Sequence, residues 1–189
     1  MRESKSKYVI LGMLSVRPMS GYDIKKSIEE SISNFWTESY GQIYPMLKSL
    51  VAQKLVAKTV ERGSGKPDRH VYALTGEGRR ALRQWLTEGV VPKVERNELL
   101  LKLFFGEEVE TAANIRLLEH YQEHQRHLLE KYKVIEKDIK TRYADDSNLP
   151  YWLITVSYGQ HVTQALLRWC EETLTKLHRI AKSSRRTNV

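Results

Sequence analysis

The feature that most constrains this chain is a change of hydrophobic period near residue 55. Before it, Ile43, Met46, Leu47, Leu50 and Val51 recur at the i, i+3, i+4, i+7, i+8 spacing of one helix face. After it, Leu55–Arg62 alternates and is β-branched, and Arg69–Leu74 alternates again. The intervening Gly63-Ser-Gly-Lys-Pro-Asp68 has the composition of a turn, so the two runs predict a β-hairpin. A helix feeding directly into a hairpin leaves few small folds open.

The segments on either side narrow the choice. Residues 5–16 predict a first helix, with Tyr8, Ile10, Leu11 and Leu14 largely apolar, and Arg17-Pro18-Met19 breaks it. Ser20 and Asp23 then form a capping-box variant, followed by Ile24, Ile28 and Ile32, with Lys25, Lys26, Glu29 and Glu30 outward. Asn34–Glu38 is a connector in which Phe35 and Trp36 are expected to pack inward. Ser39 and Gln42 form a second capping box at the head of the third helix, which is expected to end near Lys54. Thr75 caps a further helix running to about Thr87, with Ala81, Leu82, Trp85 and Leu86 inward.

Gly89–Lys93 is the expected boundary between a domain at 1–92 and one at 93–189. Beyond it, Asn97–Phe105 predicts a short apolar helix. A long helix from about Val109 to Tyr143 carries the seam Leu118, Tyr121, Gln125, Leu128, Tyr132, Ile135 and Ile139. After Asp145–Asn148 a last helix runs to about Ser183, with Gly159, Val162, Leu166, Trp169, Thr173, Leu177 and Ile180 on one face. The expected fold is mainly α: three helices, a hairpin wing and a linking helix, then a helical dimerisation region of two long antiparallel helices.

Charge points to the partner. The chain has a formal net charge of +8, and residues 1–92 carry 15 Lys and Arg against 9 Asp and Glu, leaving 16 against 14 for the rest. An excess of this kind favours a polyanion, and it lies in the first half. A single cysteine, Cys170, excludes an intramolecular disulfide and a multi-cysteine metal site and fits a reducing compartment. Lys5 and Lys7 ahead of the apolar run Tyr8–Val16 faintly resemble a signal peptide, but Arg17-Pro18 follows without a cleavage pattern. The expectation is a soluble, cytoplasmic protein with no membrane partner and no cofactor.

Three helices and a two-stranded hairpin within about 75 residues is the order of a winged helix-turn-helix, whose third helix enters the major groove. The start of that helix offers polar or stacking side chains: Ser39, Tyr40, Gln42, Tyr44 and, one turn on, Lys48. Gly41 permits close approach to a phosphate. Gln42 suits pairing with an adenine edge, or equally closure of the capping box. Pro45 inside the helix implies a kink or an irregular first turn. Around the hairpin tip, Arg62, Lys66 and Arg69 suit phosphate contact, the other reading being a solvated basic loop. Gly63-Ser-Gly-Lys66 lacks P-loop spacing and precedes a proline, which excludes a nucleotide cradle.

These residues resemble a known family. Ser20-Gly-Tyr-Asp-Ile24, Gly41-Gln-Ile-Tyr-Pro45 leading into Leu47 and Leu50, and Tyr72-Ala-Leu-Thr followed by Gly78 are similar to the PadR family of bacterial transcriptional regulators. The Tyr-Pro pair within the third helix is a habit of that family. The resemblance is specific over residues 7–88. The second half resembles, more loosely, the helical region of larger members related to the phenolic-acid-responsive repressor. It implies a homodimer with interlocking C-terminal helices and two winged domains on a roughly palindromic double-stranded operator. It also implies release by a small aromatic or amphipathic effector, and DNA contact by Tyr40, Gln42, Tyr44, Lys48, Lys66 and Arg69. Gln42 stands where many members carry Thr or Ser, which bears on operator sequence and not on binding mode.

Other constellations are weaker. Phe104, Trp152 and Trp169, with Phe105 and Tyr151, are candidates for an effector pocket, or else core or dimer contacts. His120, His124 and His127 lie at i, i+4 and i+7 beside Glu123, more in keeping with a solvated face than a metal site. Cys170 reads as a buried small hydrophobe, with a redox sensor as the alternative. No nucleophile stands in a catalytic setting, so an enzyme is not expected. The competing function is an adaptor that uses the winged domain and helices to bind a protein without specific DNA binding.

Overall fold

The capping signals set most of the element boundaries. The computed structural model describes residues 5–63, 66–90 and 95–187, without the side chains of 62–63, 66–68 and 184–187. It falls into two compact units, residues 1–93 and 94–189.

In the first unit, α1 (Ser6–Val16) leads into a two-residue strand β1 (Met19–Ser20) and α2 (Gly21–Ser31). At the head of α2 the Ser20 hydroxyl accepts from the Asp23 N–H at 3.2 Å, while the Asp23 carboxylate accepts from the Ser20 N–H at 2.9 Å. Next come α3 (Tyr40–Ala52), β2 (Val56–Gly63), β3 (Lys66–Leu74) and α4 (Gly76–Leu86), whose N-cap Thr75 accepts from the Gly78 N–H at 3.0 Å. The sheet is antiparallel in the order β1-β3-β2, with Met19 opposite Tyr72 and Val56 opposite Leu74.

The predicted apolar stripes meet in one core. Ile10, Leu11, Ile24, Ile28, Ile43, Leu47 and Leu50 are fully buried, each contributing about 2 kcal/mol by leaving water. The end of α3 explains the abrupt change of period. Lys54 adopts φ 59°, the Leu55 N–H bonds back to the Leu50 carbonyl and the Lys54 N–H to that of Val51. This is a complete Schellman motif with lysine where glycine is usual.

Several expectations are corrected. The strands extend into the segment read as a turn, taking in Gly63 and Lys66–Asp68, because antiparallel pairing continues to Gly63 opposite Lys66. Strand β1 was not foreseen; two residues carry no period. Phe35 is 59% exposed, since Trp36 takes the inward place and its indole N–H donates to the buried Glu38 at 2.8 Å. Leu86 is exposed because α4 outruns the core, which ends where Trp85 stacks on Tyr8 at 4.5 Å.

In the second unit, α5 (Glu98–Phe104) is followed by a single 3₁₀ turn (Gly106–Glu108) and the long helices α6 (Thr111–Arg142) and α7 (Leu149–Thr187). Tyr143 meets Trp152, Glu136 meets Gln160, and Tyr132 lies against Gly159, so the partners climb α7 as they descend α6. The long helices are therefore antiparallel. The seam predicted for α6 holds, with Leu118, Gln125 and Tyr132 buried. For α7 it is slightly rotated: Gly159 keeps its predicted place and Leu166, Thr173 and Leu177 are half-buried, but Val156, Thr163 and Cys170 are buried while Val162 and Ile180 are exposed. The Tyr132 ring sets that rotation, because only a glycine leaves room for it.

Candidate nucleic-acid interface

Helix α3 separates its two faces cleanly. Ile43, Leu47 and Leu50 are buried, and Tyr40, Gly41, Gln42, Tyr44, Pro45 and Lys48 are exposed on the other side. The helix runs unbroken through Pro45, which has no N–H to offer the Gly41 carbonyl. At its head the Gln42 side-chain oxygen accepts from both the backbone N–H and the hydroxyl of Ser39, at 2.8 and 2.9 Å. The capping role of Gln42 is thus filled. Tyr40 and Tyr44 stack at 6.1 Å between ring centroids, 22° from parallel. Lys48 forms no ion pair among the described residues.

Sequence reasoning missed what holds Tyr44. A Cβ on Gly21 would lie 2.6 Å from Tyr44 Cε1, so the bare backbone of α2 is the seat of that ring. Tyr72 lies beside it; burial first, and then Tyr44, push the Tyr72 phenol above its usual range. A glycine at the first position of α2, directly after a capping serine, was the available signal.

The wing is tied to the head of α2 near its tip. Arg69, opposite Glu61 on the hairpin, pairs its guanidinium with the Asp23 carboxylate and reaches Ser20 Oγ at 3.4 Å. Burial pushes the Asp23 carboxyl up, but hydrogen bonds from the backbone and side chain of Ser20, and then from Arg69, outweigh it and hold the group below its usual value. Lys66 opens β3, and its side chain, like that of Arg62, lies outside the described residues. Six of the seven predicted DNA-contact residues can thus be placed. Ser39, Tyr40, Gln42, Tyr44 and Lys48 share α3 and its cap, and Arg69 sits apart, tied to the head of α2.

In the second unit, Phe104, Trp152 and Trp169 are not brought together. Phe104 is 81% exposed and meets Phe105 edge-to-face, Trp152 meets Tyr143 edge-to-face at 5.3 Å, and Trp169 is half-buried. An open pocket of about 500 Å³ lies elsewhere in the unit, lined by Leu99, Leu117 and Tyr121 and by the polar side chains of Glu95, Arg96, Glu98, His120 and His124. Among the described residues no His, Cys, Asp and Glu side chains cluster closely enough to hold a metal. His127 instead approaches the Glu123 carboxylate at 3.4 Å. Cys170 is fully buried, and burial pushes its thiol up, which disfavours the reactive thiolate. No helix among the described residues is long and apolar enough to cross a membrane.

Comparison with known proteins covers both units. Residues 10–84 match the transcriptional regulator PadR-like family, and residues 95–178 match the virulence activator alpha C-terminal family. The negative transcriptional regulator PadR of Bacillus subtilis is 36% identical over 101 residues, 52% of this chain and 55% of that protein. The match thus spans about half the length of that relative. Among solved structures, the virulence activator AphA of Vibrio cholerae is 30% identical, with a TM-score of 0.72 over 93% of this chain and 99% of that one. B. subtilis PadR in complex with operator DNA has the same fold, with a TM-score of 0.81 at 24% identity over 92% of this chain and 99% of that one.

Proposed function

The chain belongs to the PadR-like family of transcriptional regulators, and we propose that it is a homodimeric repressor that binds a palindromic operator. The observation that carries this reading is the outer face of α3, where Tyr40, Tyr44 and Lys48 stand clear of the core on a helix of major-groove width. The first unit is the DNA-binding domain, and the basic excess of residues 1–92 supplies the phosphate attraction. Lys66 and Arg69 are its wing contacts, Arg69 being exchanged from Asp23 to a phosphate.

The second unit forms the dimer and receives the effector. Leu100, Leu101 and Phe104 on α5, and Tyr151, Ile154 and Tyr158 on α7, are all exposed, and a second copy would cover them. The effector is a small aromatic or amphipathic molecule seated in the open 500 Å³ pocket, whose volume is within the usual range for ligand sites. Phe104, Trp152 and Trp169 then serve packing and dimer contact. Effector binding favours a dimer geometry whose α3 helices miss successive major grooves, in the cytoplasm where the DNA lies.

The test is an anisotropy titration with the DNA upstream of the protein's own gene against random duplex of equal length. Specific binding that weakens steeply with salt is expected, at two chains per site. Equal, weak binding to both duplexes would overturn the reading.

A further inference from the structure

Apart from the hydroxyls of Tyr40 and Tyr44, the reading face of α3 is short of free hydrogen-bonding side chains. Gly41 and Pro45 offer none. The Gln42 oxygen, whose two lone pairs are both engaged by Ser39, is not free for the two-point pairing with adenine that needs oxygen and nitrogen together. Lys48 carries a compact ammonium that suits a phosphate or a single acceptor. What the face does offer is aromatic surface: Tyr40 is 43% exposed and Tyr44 is 49% exposed, with their rings stacked on each other. The Tyr44 ring is also fixed in advance, resting on Gly21 beside Tyr72, so little freedom is lost when a base edge meets it.

The major groove has one apolar feature that such surface can read, the 5-methyl group of thymine. Resting on the DNA-binding reading above, we propose that Tyr40 and Tyr44 select the operator by packing their rings against thymine methyl groups. The specificity of α3 is then mainly apolar, and Gln42 serves the helix rather than a base.

Replacing thymidine by deoxyuridine removes the methyl group and leaves every hydrogen-bonding atom in place. The experiment titrates the intact protein with the footprinted upstream duplex carrying one dT-to-dU change at a time in each half-site. One or two positions per half-site should weaken binding about three- to five-fold. At those positions Tyr44→Ala or Tyr40→Ala should bind dT and dU duplexes alike, whereas Tyr44→Phe, which keeps the ring, should retain the dT preference. Thermal melting of each variant separates loss of fold from loss of contact. Equal binding of dT and dU duplexes at every position would overturn the proposal, as would a dT preference that survives both alanine substitutions. Failure of the unmodified duplex to out-compete random DNA would remove the DNA-binding reading itself and this inference with it.

Discussion

Gly159→Ala should change the stability of the second unit with a sign that depends on a residue of the opposite helix. A Cβ at position 159 would lie 2.4, 2.6 and 2.8 Å from Cζ, Cε1 and Cε2 of Tyr132. Carbon atoms in good contact sit about 3.5–4.0 Å apart, so ring and helix must separate by roughly 1 Å. Tyr132 is buried and cannot simply swing away. Overpacking of this kind costs about 1–3 kcal/mol, against a gain of about 1 kcal/mol for alanine over glycine inside a helix. The net expectation is a loss of up to about 2 kcal/mol. Leucine lacks the three ring atoms that collide. In a Tyr132→Leu background the same alanine should therefore stabilise by about 0.5–1 kcal/mol, a coupling of about 1–3 kcal/mol. Equilibrium urea unfolding followed by helical circular dichroism reports on it, because α6 and α7, at 32 and 39 residues, dominate that signal. The same sign and size in both backgrounds would refute the idea that Tyr132 sets the rotation of α7.

Three further outcomes are expected. At Gly78 an added Cβ would lie 2.1 Å from the Leu55 carbonyl oxygen, a backbone atom that cannot turn aside; Gly78→Ala should cost about 2–3 kcal/mol and lower the Tm of the first unit by on the order of 10 °C. Lys54→Gly relieves a left-handed lysine whose carbonyl accepts from Thr75, and should stabilise by about 0.5–1 kcal/mol in denaturant titration, with loss of stability counting against strain there. Because the Asp23 carboxyl is held below its usual 3.8, its contribution is present above about pH 4 and is lost as the pH falls below that; Asp23→Asn should flatten the acid limb of the stability profile, and an unchanged limb would contradict the assignment.

What could be read from the residues alone was whatever local chemistry dictates. The boxes at Ser20 and Ser39, the Thr75 cap and the switch from helical to alternating period at Leu55 each have a short-range cause, and each appears in the fold. The exposed face of α3 follows from the buried one, since Ile43, Leu47 and Leu50 fix which way Tyr40 and Tyr44 must turn. Helix α7 shows where this stops. It carries two apolar stripes, one through Val156, Thr163 and Cys170 and one through Tyr158, Val162 and Ile180, and periodicity cannot say which meets α6. The choice rests on a ring-to-backbone contact between residues 132 and 159. The pairing of Arg69 with Asp23 spans 46 positions and was equally out of reach.

That last contact changes how the interface is understood. Residues 20–23 form a helix cap, and together with Met19 they are also the joint of the first unit. Met19 and Ser20 pair with Tyr72 and Val71 of the wing strand, Gly21 seats Tyr44 of α3, and Asp23 caps α2 while holding Arg69 of the hairpin. Four residues within five positions therefore fix both the ring on the reading face and the wing hairpin. A change at Asp23 frees Arg69 and weakens the cap together; a side chain at Gly21 displaces Tyr44 while leaving the cap intact. The two substitutions separate the wing from α3. If the wing supplies phosphate contacts, releasing Arg69 alters affinity for all duplexes alike, whereas moving Tyr44 alters the preference among them.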